Sequence, residues 1–510
     1  MANIKSYIQA NRLHIAIGLG GTLVALAFSV LMNFHSVNVD IAAVQHHASQ
    51  IEWLNPASYF NGFHPVLLPI LIKVSGITHW PLTGLLLSNL LYGLSCIWVY
   101  RIVHSQVNDV LVAVLATLII CSLKPFFEVF VSPMQDSLLV FLVLISLHKL
   151  IQKDLLWSGV FIGLAALARG HALYIGLLIF VFYVLKGKSL KQLYKWPLGA
   201  FIAYTPQMVV NIAATGNPFA NHQLFNIYQH FYLGTFDYTA QLEVPSTLVQ
   251  LIGNNPHLFF KEYVNLISQN LLFIAIPIIG IAWGVYVKRR PTITISLICL
   301  LYFATSILSN SSRAFAPALI FLALLTAYFI RYFKTLDFPG KYVLALTVIG
   351  LVHYSFIQNL TMLLDYRQSE KLTSEFSELM INETPNLERK QVFNGHFEFT
   401  YTGIPGTIGR VRTNNWYRYK NEAYNTHYPA PLLTLPGPEM LDYCQTNEIQ
   451  FLVIREGLID EQLLREWQNT PGLKSISSRS RLRYSISTYY EILSKETDRI
   501  HLIKVGDAAI

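Results

Sequence analysis

Charge is what this 510-residue chain has least of. Asp, Glu, Lys and Arg make up 13% of it, against about 25% in an ordinary soluble domain, while 53% is hydrophobic. A surface with so few ions cannot face water throughout, which excludes a soluble globular protein and points to a polytopic membrane protein. Cysteine is also scarce. Of Cys96, Cys121, Cys299 and Cys444, three lie in apolar runs and none forms a CxxC pair, which argues against a disulfide framework or a zinc site. No GxGxxG, P-loop, internal repeat or low-complexity tract occurs, so no nucleotide-binding loop is expected. The net charge of +8 falls mainly in short loops between apolar runs, where membrane orientation calls for it, and no nucleic-acid partner is expected.

What the chain does have is apolar runs. A helix needs about 20 apolar residues to cross a bilayer, and candidate spans fall at 13–34, 82–103, 108–123, 136–151, 157–168, 171–186, 197–213, 266–287, 292–309, 314–333 and 342–361. The first is too long for a signal-peptide core and lacks an obvious cleavage site, so an uncleaved anchor is expected. The runs 157–168 and 171–186 are short and flank Arg169, as half-length or tilted spans would. With Lys5 and Arg12 placed inside, every second loop is rich in lysine and arginine. That alternation predicts a multi-pass protein of the plasma or inner membrane, with a cytoplasmic N-terminus and an extracytoplasmic tail. The expected architecture is a polytopic α-helical membrane domain over 1–361, of about 11 transmembrane helices with interfacial helices in the first outer loop. A soluble α/β domain over 362–510 follows. There Phe451–Ile454 reads as a buried strand, the segment holding Asp460, Glu461 and Glu466 as a helix, and RIHLIKV as another strand.

The chemistry gathers on the expected outer face. VNVDIAAVQHHASQIEWLNPASYFNGFHPVLLPI follows the first span and is too long for a plain connector. A carboxylate beside lipid is costly unless it meets water or a partner, which makes Asp40 a candidate site residue; Asp is equally a favoured helix N-cap. Residues 40–54 have the pattern of an interfacial amphipathic helix, with Ile41, Val44, Ile51 and Leu54 toward the membrane and His46, His47 and Glu52 turned away. FHPVLLPILIKV adds a second short apolar stretch, and His64 before its proline is placed to donate to a phosphate or sugar oxygen. Lys124, Glu128 and Asp136 sit between spans three and four, Arg169 and His171 between the two short spans, and Arg313 between spans nine and ten. A guanidinium in an apolar run needs an anion. Arg169 and Arg313 suit a phosphate, held by paired hydrogen bonds, or a structural ion pair with Glu128 or Asp136.

In this order the pieces resemble the type-C superfamily of glycosyltransferases, polytopic enzymes that use polyprenyl-phosphate sugars and include protein O-mannosyltransferases and the lipid A aminoarabinose transferase. The resemblance rests on the Asp40 loop, FHPVLLPIL, SPMQDSLLVFLVL, GVFIGLAALARGHAL, ATGNPF and SSRAFAPALIFLA, and covers roughly residues 10–335. Many members carry an Asp-Glu pair in the first loop, whereas Ile41 follows Asp40 here, and Val66 stands where they double the proline. The resemblance implies transfer of a sugar from a polyprenyl-phosphate donor to an acceptor at the outer membrane face. Asp40 would be the general base, with inversion at the anomeric carbon. Arg169, Arg313, Lys124 and His64 would hold the donor phosphate, with Glu128, Asp136, Glu52 and His46 as acceptor, sugar or secondary acid contacts. Implied partners are the lipid-linked sugar, membrane lipid and a glycan, lipid or protein acceptor. No particular cofactor is implied; a divalent metal ion on His46, Glu52 and Asp40 is one option. Two other classes fit the composition: a transporter or flippase of lipid-linked glycans, and a membrane-anchored sensor or scaffold. A transporter would be expected to show internal repeats and mid-membrane ions, and a scaffold does not explain the Asp40 loop or Arg169.

Overall fold

A computed structural model of the chain describes residues 12–32, 44, 47–60, 65–76, 80–131, 135–185, 193–220, 227, 247–309, 312–335, 338–388, 391–395, 417–421, 426–430, 435–456, 459–486 and 492–506. Their helices in the first three quarters of the chain are α1 (Arg12–Leu31), α2 (Leu67–Ser75), α3 (Trp80–Val107), α4 (Val110–Ser122), α5 (Lys124–Glu128), α6 (Gln135–Ile151), α7 (Leu155–Ala168), α8 (Ala172–Leu185), α9 (Lys195–Thr215), α10 (Leu248–Asn254), α11 (Pro256–Gln269), α12 (Leu271–Tyr286), α13 (Arg290–Ser306), α14 (Leu319–Lys334) and α15 (Phe338–Glu383). Each of the eleven apolar runs coincides with a helix, but length separates them. Among the described residues, four stretches are long and apolar enough to cross a bilayer alone: Arg12–Leu31, Leu82–Val107, Arg313–Lys334 and Ala345–Glu383. A fifth arises if Pro256–Ser268 and Phe273–Tyr286, bent by 76°, count as one span. At 1.5 Å per residue a 14-residue helix such as α7 or α8 covers about 21 Å of a hydrocarbon core of about 30 Å. Eleven apolar helices are therefore not eleven full crossings.

Helix ends fall into two groups. At one, Arg331 donates to the carbonyl of Val107 at 2.8 Å and Lys334 meets Asp109 at 2.6 Å. At the other, Asn359 donates to the carbonyl of Ser122 at 2.8 Å and Arg367 to that of Leu31 at 3.0 Å. Leu19, Leu23, Ile278, Ile279, Leu346, Ile349 and Phe356 remain exposed along the outward helix faces, an apolar belt that only lipid would cover.

Close helix approach depends on glycine. A Cβ at Gly159, Gly163 or Gly199 would collide with backbone of the facing helix, at Trp196, Ala200 and Leu156 respectively. α7 and α9 thus touch backbone to backbone, as small residues four apart allow between membrane helices.

The loop after α1 differs from expectation. Val44, Ala48 and Ile51 are buried, and Val44 and Ala48 pack on Leu68 and Ile72 of α2 instead of facing lipid, while Leu54 is 98% exposed. His47 is buried too, its Nε2 3.1 Å from the carbonyl oxygen of Ser58. A protein surface competes better than lipid for these side chains because α2 offers a matching apolar face. α2 is itself anchored from inside: the Val66 N–H donates to Gln207 at 3.0 Å, Gln207 donates to Asn211 at 2.8 Å, and Asn211 donates to the carbonyl of Pro218 at 2.8 Å.

The composition change at 362 falls inside α15, whose 46 residues run for about 69 Å, twice a bilayer core. Beyond it come β1 (Val392–Gly395), β2 (Tyr417–Asn421), β3 (Thr426–Ala430), α16 (Gly437–Thr446), β4 (Phe451–Arg455), α17 (Glu461–Asn469), β5 (Leu473–Ile486) and β6 (Ile492–Val505). β2 and β3 pair as a separate antiparallel two-stranded sheet. The four-stranded sheet has the order β1-β4-β6-β5, with β1 and β4 parallel and the other pairs antiparallel. Phe451 and Val453 turn to the α15 side, against Phe376 and Met380; Leu452 and Ile454 turn to α16 and α17, against Met440 and Trp467. Both faces are covered, which is why FLVI is a continuous apolar run without alternation. Asp460 caps α17, accepting from Gln462 N at 2.8 Å and Leu463 N at 3.3 Å. Burial pushes the Cys444 thiol up to about 12, so it serves as packing.

Substituting Gly163→Leu must separate α7 from α9 or displace the end of α7. The expected loss is about 1–3 kcal/mol, read as a lowered thermal unfolding midpoint in detergent; an unchanged midpoint would mean the helices part freely.

Candidate active site

α7 stops because Arg169 leaves helical geometry, with φ −150° and ψ 125°, while its N–H still bonds Ala165. The chain rewinds at once: Ala172 N–H reaches the carbonyl of Arg169 and Leu173 N–H that of Gly170. Arg169 therefore sits at the break between two short apolar helices. Its guanidinium meets Asp136 in two parallel bonds, Nε to Oδ1 at 3.1 Å and Nη2 to Oδ2 at 3.2 Å. The side chains are 18% and 7% exposed. Asp136 lies in the first turn of α6, where free N–H groups favour a carboxylate.

Depth follows from counting. Fifteen residues separate Arg169 from Asp154, which pairs with Lys149 at 3.7 Å at the opposite end of α6 and α7. That is about 22 Å of helix, shorter than a hydrocarbon core of about 30 Å.

Two further cationic or ionisable groups, Arg313 and His171, stand within electrostatic range of Asp136. Arg313 belongs to the 3-10 stretch Ser312–Ala318, which packs against both α5 and α6. Around one carboxylate, then, stand two guanidinium groups. Tyr302, fully buried, has Asp136 and Tyr174 in electrostatic range, and its ring stacks on Tyr174 with centroids 6.0 Å apart. Beneath this, Ser29, Asn89, Ser88 and Ser137 form a buried polar layer, with Asn89 donating to Ser29 at 2.9 Å and Ser88 3.1 Å from Ser137.

Of the residues singled out in the sequence, the structure brings Asp136, Arg169 and Arg313 together, with His171. Arg169 takes the ion-pair alternative, and its partner is Asp136. Glu128, half-buried at the end of α5, approaches the same region from the side of α15. Lys124 opens α5 and is half-buried. Glu52 is exposed and accepts from Asn55 at 3.2 Å within a local turn that Ser58 closes. Asp40, His46 and His64 lie outside the described residues. Among the described residues no three His, Cys, Asp or Glu side chains gather as a metal site. An open hollow of about 360 Å³, lined by Arg367, Glu370, Lys371, Ser374, Glu375 and Glu378, runs along the polar part of α15 and not beside the ion pair. Tyr302 and Tyr366 were missed, since an aromatic ring within an apolar run carries no mark of what its hydroxyl meets.

No protein-family model matches the chain, and no curated protein matches it in sequence. Among solved structures, that of ArnT from Cupriavidus metallidurans bound to undecaprenyl phosphate aligns over 97% of this chain and 98% of its own, at 10% identity and a TM-score of 0.47. The arabinofuranosyltransferase AftD from Mycobacteria aligns over 98% of this chain and 40% of its own, at 11% identity and a TM-score of 0.41. Neither likeness is close enough to carry an assignment, which has to rest on this chain's residues.

Removing one member of the ion pair leaves a charge in an apolar surround. Asp136→Ala should cost about 3–5 kcal/mol, whereas Asp136→Leu combined with Arg169→Met should recover most of that stability. Thermal unfolding of the three proteins checks it; equal losses in the single and double variants would contradict an uncompensated charge as the cause.

Proposed function

We propose that this protein is a membrane glycosyltransferase that moves a sugar from a polyprenyl-phosphate donor to an acceptor at the outer membrane face. The observation that supports the reading is that two guanidinium groups, Arg169 by a forked hydrogen bond and Arg313 within electrostatic range, stand by the carboxylate of Asp136 inside an apolar bundle. Asp136 takes two of the five N–H bonds Arg169 can donate. A lipid phosphate would arrive at this depth with its isoprenoid tail among the exposed apolar helix faces and its charge beside the guanidinium groups.

The same reading gives each residue a task. The acceptor hydroxyl or amine enters from water, and Asp40 takes its proton as the new bond to the anomeric carbon forms. The bond from that carbon to the phosphate oxygen breaks on the opposite side, so configuration inverts. Negative charge then grows on the departing lipid phosphate, where Arg313 and Arg169, with Lys124 and His64 as further donors, stabilise it. A divalent ion, if used, would be held by Asp40, His46 and Glu52, a hard cation with oxygen and imidazole ligands. The tail from 362 is the extracytoplasmic domain in this scheme, with the N-terminus cytoplasmic and about eleven membrane-embedded helices between.

A positioned base contributes typically 10²–10⁴-fold. Asp40→Asn in purified protein is therefore expected to slow sugar release from a polyprenyl-phosphate sugar by at least about a hundredfold, with donor binding retained. A rate equal to the unaltered protein's removes Asp40 as the base. No release by the unaltered protein with any polyprenyl-phosphate sugar removes the transferase reading.

A further inference from the structure

α1 and α3 pack so tightly that their glycines have no room for a Cβ. One at Gly18 would strike Ile97, and one at Gly93 would strike Thr22 and the Gly18 carbonyl. The same antiparallel pairing sets His14, one turn before Gly18, edge-on to Tyr100 with ring centroids 5.4 Å apart, and Tyr100 stacks on His104 at 5.5 Å. On its other side α3 runs parallel to α6. Ser88 meets Ser137, and about three turns further on Trp98 packs on His148, with centroids 4.6 Å apart.

Arg101 lies between these two contacts. At 100° per residue it points about 60° from His104 on one side and about 60° from Trp98 on the other. Its guanidinium lies over the Trp98 ring, 5.2 Å from the centroid, and both His14 and His148 are within its electrostatic range. Stacking uses the flat face of a guanidinium and leaves its rim of N–H donors unused. Among the described residues no carboxylate meets that rim. The reason is in the sequence. α1 and α3 contain no Asp or Glu, and α6 contains only Asp136, which is twelve residues or about 18 Å from His148 and is bound to Arg169. Asp109 and Asp154, which precede α4 and α7 at this end, are held by Lys334 and Lys149. The Nδ1 atoms of His14 and His148 are likewise buried with no hydrogen-bond partner. A guanidinium in an apolar run needs an anion, and these helices do not supply one.

On the same face, α3 is otherwise apolar. Leu94, Leu90 and Leu87 lie within about 40° of Arg101 around the helix. All three are exposed, on the arc of α3 that its contacts with α1 and α6 leave open. Arg101 to Leu87 spans about 21 Å of helix, more than the roughly 15 Å of one leaflet's hydrocarbon.

We propose that this groove binds one anionic phospholipid, its phosphate on the Arg101 guanidinium beside His14 and His148 and one acyl chain along Leu94, Leu90 and Leu87. Charge complementarity selects the occupant. A cation without an anion, at the head of an apolar groove one leaflet long, matches a phosphate joined to a hydrocarbon chain. A zwitterionic headgroup brings its own cation and gains less there. The site stands apart from Arg169 and Asp136, which lie toward the other end of α6, and is independent of the transferase reading.

Titration of the full-length protein in neutral detergent with phosphatidylglycerol, phosphatidylcholine and inorganic phosphate tests it. Bound lipid is counted by native mass spectrometry, and a thermal unfolding midpoint without lipid shows that each variant is folded. Phosphatidylglycerol should bind about tenfold tighter than phosphatidylcholine, and Arg101→Gln should weaken it by about tenfold, the worth of one bond to a charged group. Leu90→Asn should weaken both lipids by about fivefold. Lys153→Gln, at an exposed position of the same end, should leave both unchanged. Equal affinity for the two lipids, or equal losses in Arg101→Gln and Lys153→Gln, overturns the site in favour of general attraction to a basic surface. If inorganic phosphate raises the unfolding midpoint as far as phosphatidylglycerol does, and Leu90→Asn changes nothing, the occupant is a water-borne anion and the lipid assignment is overturned. Should Arg101→Gln fail to fold, the lipid preference of the unaltered protein and the Leu90→Asn loss decide in the same way.

Discussion

A guanidinium inside an apolar bundle has to meet an anion, and in this molecule much follows from how Arg169 meets Asp136. Both bonds of the fork are made, at 3.1 and 3.2 Å. Making them requires α7 to stop at Ala168, α8 to begin only at Ala172, and the first turn of α6 to stand opposite the break. The break in turn limits α7 and α8 to 14 residues each, too short to cross a bilayer singly. Glycines 159, 163 and 199 bring α7 against α9 backbone to backbone.

The second organising element is α15. Its first half shows exposed apolar side chains of the kind that face lipid, and its last turns bury Phe376 and Met380 against one face of the four-stranded sheet. Because the helix is continuous from Phe338 to Glu383, the sheet and the bundle share one rigid rod in place of a flexible linker. Ties along its outer half include Lys504 to Glu383 at 2.6 Å, Arg479 to Glu375 and Tyr484 to Asp365. The exposed ion pairs among them add little stability each. Their value is geometric, since they hold the β5–β6 pair along the rod.

Much of this was legible in the residues. Apolar runs located eleven helices because lipid-facing and buried helices are both apolar over longer runs than a covered strand such as Phe451–Arg455. The short pair around Arg169 could be read from run length, and the strand at Phe451 and the helix after Asp460 from a covered apolar run followed by a cap. Three features were not legible. The composition change at 362 says nothing of helix continuity, and α15 runs through it from Phe338 to Glu383. Val44 and Ile51 had the period of an interfacial helix, but period does not say whether the apolar face meets lipid or α2. Tyr302 and Tyr366 stand within electrostatic range of Asp136 and of Glu128 and Arg313 respectively, but an aromatic ring looks like core in any apolar run. Arg169, Arg313 and Asp136 stood out for the opposite reason: charge in an apolar run is expensive enough to need a cause.

Stability does not supply that cause. A buried ion pair is matched or exceeded by apolar side chains of similar volume, because the desolvation of two charges offsets most of their attraction. A bundle under no other constraint would be as stable with leucine and methionine at 136 and 169. The structure instead retains the pair and adds a second guanidinium, Arg313, within range of the same carboxylate. Tyr366, Glu128 and Asp365 extend the charged cluster on the side facing β5.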